Sequence, residues 1–151
     1  MPEYDPARSA ESIVVGWLRE QSYPVAALGG EAAFRIAFRY PRLIPVVAGW
    51  DCAFDFHELI GRGTMLDRHF ERQEQARQHT AILQIRANDP PRAIWFGCPP
   101  ESENYRGHDR LHEKLAAVGV AHEFVVAEEC PVEAIADFLR SGLERESRRL
   151  L

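Results

Sequence analysis

The chain has 151 residues, with 23 acidic and 18 basic side chains and a formal charge of −5. That is one domain's worth of chain, long enough to bury a core, and its acidic balance argues against nucleic acid or an anionic membrane as the main partner. No run reaches the ~20 apolar residues of a membrane span, the polar start MPEYDPARSAE is not that of a signal peptide, and three widely spaced cysteines without a CxxC pair point to a reducing, cytoplasmic setting.

The pattern predicts a first helix over Ser9 to Gln21, with Ile13, Val14, Trp17 and Leu18 on one face. A short apolar strand, Val25 to Leu28, then meets Gly29 and Gly30. A helix follows from Glu31 to Tyr40, closed by Pro41, with Ala33, Ile36, Ala37 and Tyr40 as its apolar stripe and Phe34 and Phe38 widening it. Leu43 to Trp50 reads as the second strand, its ladder confined by Pro45 to the residues beyond it. From Asp51 to Ala87 the pattern is irregular and then helical. Ala93 to Cys98 is the third strand, entered through Pro90 and Pro91. A helix over Asn104 to Val118 is stopped by Gly119, and Val120 to Ala127 is the fourth strand. The last helix starts near Pro131, a good first helical residue, and is expected to bury Val132, Ile135, Ala136, Leu139 and Leu143. Strand and helix alternating in this way predict a single α/β domain over residues 1–151, with a parallel sheet of about four strands and flanking helices.

The turn YPVAALGGEAAF is the first candidate site. A strand, a glycine turn and a helix N-terminus hold a phosphate when several glycines bare the backbone, or a nucleophile when serine or cysteine sits on the bend. Here the bend offers Ala27 and Leu28, and neither does chemistry. Cys98 and Cys130 close the third and follow the fourth strand, at the sheet edge where such folds place their sites. A thiolate beside His57 or His122 would make a Cys–His pair, against the preferred reading of each cysteine as a small hydrophobe. His108 and His112, one helical turn apart, lack third and fourth metal ligands. With Asp109, Arg110, Glu113 and Lys114 they are expected on a solvated face beside Leu111 and Leu115. No metal or cofactor is expected. Trp50, Asp51, Phe54 and His57 form an aromatic and acidic cluster after the second strand. It reads either as a small-molecule binding site or as an inserted helix covering the core, anchored by Phe54 and Phe56.

GGEAAFRIAFRYP followed by LIPVVAG resembles the nucleophile turn, helix and next strand of α/β-hydrolase esterases of the esterase D and feruloyl esterase type. YRGHDRLHEKLAAVGVAHEF is similar to their late helix and strand, so the resemblance covers about Trp17 to Leu143. Only the glycine pair and the HEKL…HEF stretch are specific. The resemblance implies the C-terminal half of that fold, with a chain that begins one helix before the nucleophile strand. The family's turn is Gly-x-Ser-x-Gly-Gly, matched here by Val25, Ala26, Ala27, Leu28, Gly29 and Gly30. It thus implies Ala27 at the nucleophile position and the Leu28 N–H at the oxyanion position. It implies Glu101, Ser102 or Glu103 in the acid's segment, and Cys130 or a neighbour where the histidine belongs. No Gly-x-Ser-x-Gly occurs anywhere in the chain.

The expectation is therefore an esterase-like protein without catalysis, working by binding or assembly. The alternative is an active carboxylic-ester hydrolase, completed by a partner chain or using a displaced Cys or His. A first strand that has lost its neighbour leaves an open edge, which predicts a homodimer or a partner chain pairing there.

Overall fold

The computed structural model describes residues 26–150, and residues 26–28 by their backbone alone. The helix expected over Ser9 to Gln21, with Pro24 and Val25, lies outside the described residues. The elements run β1 (Ala26–Leu28), α1 (Glu31–Arg39), β2 (Val46–Trp50), a long connection with three 3-10 turns and the short helix α2 (Gln73–Arg77), β3 (Ala93–Cys98), α3 (Tyr105–Ala117), β4 (Glu123–Val126) and α4 (Val132–Arg149). The fold is α/β. Every pairing is parallel and the strands lie side by side in chain order, with Ala27 opposite Val47, Val47 opposite Ile94 and Phe96 opposite Phe124. β2, β3 and β4 form the body of the sheet. β1 extends it at one edge by a strand of 3 residues.

Alternation along the strands sorts the side chains into two layers. Val47, Ile94 and Phe96 face α1 and α3 and share one core with Phe34, Phe38, Leu111 and Leu115. Ala48 and Trp95 face the other way and pack with Ile135 of α4. Burying side chains of this size stabilises by roughly 1.5–3 kcal/mol each, so the first cluster is the main anchor of the sheet. A third, smaller cluster of Phe56, Phe70 and Ala76 sits under the long connection. A Glu31 carboxylate oxygen ties that connection to α1 by accepting the Ala81 N–H at 2.9 Å.

The helix ends follow from local chemistry. α3 stops at a left-handed Gly119 (φ 73°), where the Val120 N–H donates to Leu115 O at 2.9 Å and the Gly119 N–H to Ala116 O at 3.1 Å. That pair of bonds is a Schellman closure, and Val120 and Leu115 meet in the core behind it. Pro131 stands at the residue before α4 rather than at its first helical position. α4 buries Ile135 and sets Gly142 so close to β2 that an added Cβ would lie 2.8 Å from a Val46 methyl. Its expected buried stripe is only half covered: Val132 is 66% exposed, and Ala136 is exposed as well.

Candidate functional site at the carboxyl ends of the strands

The glycine turn differs from its sequence reading. β1 runs through Leu28, so Ala27 and Leu28 are ladder residues, opposite Val47 and Ala48, rather than residues of the bend. The bend is Gly29 and Gly30. The Gly29 N–H continues the ladder onto Ala48 O at 3.1 Å, and Gly30 precedes α1 in an extended conformation (φ −90°, ψ −152°). The left-handed glycines of the described chain are Gly61, Gly63 and Gly119, so this turn lacks the sharp, strained geometry on which a nucleophile is presented. It is held tightly by its neighbour: a Cβ on Gly49 would lie 2.5 Å from Gly29 O, and the Cys52 thiol donates to the same carbonyl at 3.4 Å.

Asp51, just past β2, is the one described non-glycine residue with positive φ, at 52°. Aspartate tolerates that conformation better than most residues, and here the strain is offset by a polar tether. Its N–H donates to Gly97 O at 2.8 Å. Its carboxylate accepts the Ser102 hydroxyl at 2.5 Å and the Asn104 side-chain amide at 3.1 Å. The Ser102 oxygen also accepts the Asn104 N–H at 3.0 Å. Of the three residues expected in the acid's segment, Ser102 is thus tied to Asp51, while Glu101 and Glu103 are exposed.

His108 is not on a solvated face. It is 0% exposed, one turn before Leu111 on the inward side of α3. Its Nδ1 lies 2.8 Å from Asn104 O, and its Nε2 accepts the Cys52 N–H at 3.2 Å. The ring is therefore neutral with its proton on Nδ1, and burial holds its pKa below the usual histidine value. His112 also turns inward, and its Nδ1 lies 2.7 Å from His122 Nε2. The His122 ring stacks on Phe96. Nitrogens this close share a hydrogen bond and leave no room for a metal ion between them. The misreading came from weighing the charged neighbours of both histidines above their spacing to Leu111 and Leu115.

The cluster expected around Trp50 is divided among separate places. Phe54 lies in the main core with its ring against Phe34 and His108, so it is an anchor rather than a binding surface. His57 lies in the 3-10 turn Phe56–Leu59, its Nδ1 buried without a partner. Asp51 is exposed at the strand end. Trp50 faces α4 and stacks on Trp95 at 6.4 Å.

The thiols fall into two kinds. Cys52 and Cys98 are buried. Desolvation, helped by the nearby Asp51 charge, pushes Cys52 up to about 12 and Cys98 up to about 11, so neither is a thiolate near neutrality. Cys130 is exposed and borders a groove of about 380 Å³ that Gly29, Trp50 and the first turns of α4 enclose. The sequence reading missed this groove, because its walls come from three separated segments. Its one signal was an apolar stripe on α4 longer than the sheet can cover. Among the described residues, no group of three or more His, Cys, Asp or Glu side chains is placed to hold a metal, and no helix is long and apolar enough to cross a membrane. No protein-family model matches the chain, and no curated protein matches it.

Proposed function

We propose that this chain is an esterase-like α/β module without catalysis, acting through binding or assembly. The observation that carries the reading is Ala27 in the β1 ladder opposite Val47, with a methyl where the resembled esterases place their serine. A serine hydrolase needs an oxygen nucleophile, an imidazole to take its proton and donors for the oxyanion. Removal of a triad member leaves only about 10³–10⁴ over water, and loss of one oxyanion donor costs roughly 10²–10³ more. Two further facts support the reading. His108, which meets the Cys52 N–H beside the glycine turn, spends both ring nitrogens on Asn104 O and that N–H, and the Cys98 thiol is buried and protonated.

The assembly half of the proposal rests on β1. Among the described residues it pairs on one side only, with β2, and an edge of that kind takes a strand of a second copy or of a partner chain. The free cysteines accord with a reducing cytoplasm. Incubation of the full chain with a fluorophosphonate tests the catalytic half: the intact mass is expected to stay unchanged, and a stoichiometric adduct would overturn the reading. Light scattering at tens of micromolar tests the other half, with a dimer expected and a monomer counting against it.

A further inference from the structure

Among the described residues, the groove beside the glycine turn has the form of a place that holds something small. It lies at the carboxyl ends of parallel strands, where open α/β sheets bind ligands. Its volume, about 380 Å³, is within the range of small-molecule sites. α4 supplies one wall as Val132, Ile135, Ala136 and Leu139, residues on one helical face. The opposite wall is Trp50, whose ring is held in place: it stacks on Trp95, and its Cζ3 is so close over Gly97 that an added Cβ there would lie 2.9 Å away. A fixed indole facing uncovered aliphatic side chains favours an apolar body, at roughly 25 cal/mol for each Å² removed from water.

Charge narrows the choice. None of the described lining residues is basic. Glu128 and Glu129 directly precede Cys130, Glu133 directly follows Val132, and all three are exposed. The whole chain adds a net −5. An anion with an apolar tail would approach exposed carboxylates of its own sign next along the chain to Cys130 and Val132, whereas a cation would be attracted by them and by the face of a tryptophan. We infer that the groove binds a small organic cation: an ammonium group carried on an aromatic or branched aliphatic body. The body lies between Trp50 and the Ile135–Leu139 face, and the ammonium lies toward Cys130 and Val132, beside Glu129 and Glu133 in the chain. This names a ligand class for the binding module proposed above and rests on that proposal.

The test is an amide and indole NMR titration of the full chain with three probes that share one body: phenethylamine as its ammonium, 2-phenylethanol and phenylacetate. The ammonium is expected to give saturable shifts confined to Gly29, the Trp50 indole and residues 130–139. The alcohol should bind about three- to fivefold more weakly, as expected for the loss of an exposed charge pairing, and phenylacetate should leave the spectrum unchanged. The double variant Glu129→Gln, Glu133→Gln should bring the ammonium down to the level of the alcohol. Ala136→Phe, which fills the groove from an exposed helical position, should abolish both responses. No shifts up to 10 mM, shifts elsewhere, or equal binding of phenylacetate would overturn the inference. So would a chain found dimeric through this groove, with Ala136→Phe making it monomeric and the amine without effect. Failure here leaves the fluorophosphonate result standing, and an adduct there does not depend on what the groove binds.

Discussion

Replacing Gly49 by alanine puts a methyl where three groups already converge on β2. The new carbon would lie 2.5 Å from Gly29 O, 2.6 Å from Cε2 of Phe34 and 2.7 Å from the Cys52 sulfur. Carbon atoms pack at about 3.5–4.0 Å, so each neighbour must retreat by on the order of 1 Å. None retreats cheaply. Gly29 is tied to β2 through Ala48 O, and Phe34 and Cys52 are both buried in the main core. Overpacking of this kind costs about 1–3 kcal/mol, and a backbone carbonyl among the obstacles places Gly49→Ala near the upper figure. Restricting the unfolded chain by removing a glycine returns roughly 0.5–1 kcal/mol. The net expectation is a loss of about 2 kcal/mol, which for a domain of this size lowers Tm by roughly 6–8 °C. Gly30→Ser is the control. A Cβ there meets nothing within 4 Å, and Gly30 caps α1 in an extended conformation without a side-chain hydrogen bond, so serine should raise stability by a few tenths of a kcal/mol. Circular dichroism melts of both variants decide the matter. A Gly49→Ala protein as stable as its parent would refute the close approach of β2 to the glycine turn.

Asp51→Ala keeps the left-handed backbone without the carboxylate that ties down Ser102 and Asn104. A loss of about 1–3 kcal/mol in urea unfolding is expected, with Asp51→Asn losing less than 1 kcal/mol. The lowered pKa of His108 makes the folded chain bind fewer protons than the unfolded one. Stability should therefore fall as pH drops below about 6.5, the value of an unfolded histidine, and this slope should flatten in His108→Asn. Of the three thiols, Ellman's reagent should modify Cys130 quickly and leave Cys52 and Cys98 unreacted until the chain unfolds. Rapid reaction at all three would show that the main core is open.

Much of the fold is legible in the residues because the local signals agree with the packing. Ala93 to Cys98 reads as a strand of that extent, since it is a continuous apolar run fenced by prolines on both sides. Gly119 marks the end of α3 for the same reason that it closes it, a positive φ. Boundaries blur where neighbouring elements borrow residues. The second strand loses Leu43 and Ile44, whose N–H groups bond back to Tyr40 O to close α1. The fourth loses Val120 to the closure of α3, and Val120 O is also met by His122 Nδ1 at 2.8 Å. The stretch from Asp51 to Ala87, expected to be irregular and then helical, holds the short helix α2 but is otherwise built of 3-10 turns, in which no periodicity repeats long enough to register.

The site was less legible than the fold. A glycine pair after an apolar run signals a turn, but not whether the ladder ends before it. Gly29 N–H reaching Ala48 O is what carries the strand past Ala27. Asp51 acquires its role only from residues some fifty positions away, Ser102 and Asn104. The groove depends on how far the sheet reaches under α4, which leaves Val132 and Ala136 without cover. No local pattern encodes that distance.

The central proposal, that Ala27 sets a methyl where the resembled esterases carry their serine, meets its most direct test in p-nitrophenyl acetate hydrolysis by the purified full chain. No saturable turnover, with nitrophenolate release ending at the single equivalent that acylation of the exposed Cys130 thiol accounts for, is the predicted result. Saturable turnover through many equivalents, lost on heating or in Cys98→Ala or Cys130→Ala, would contradict it.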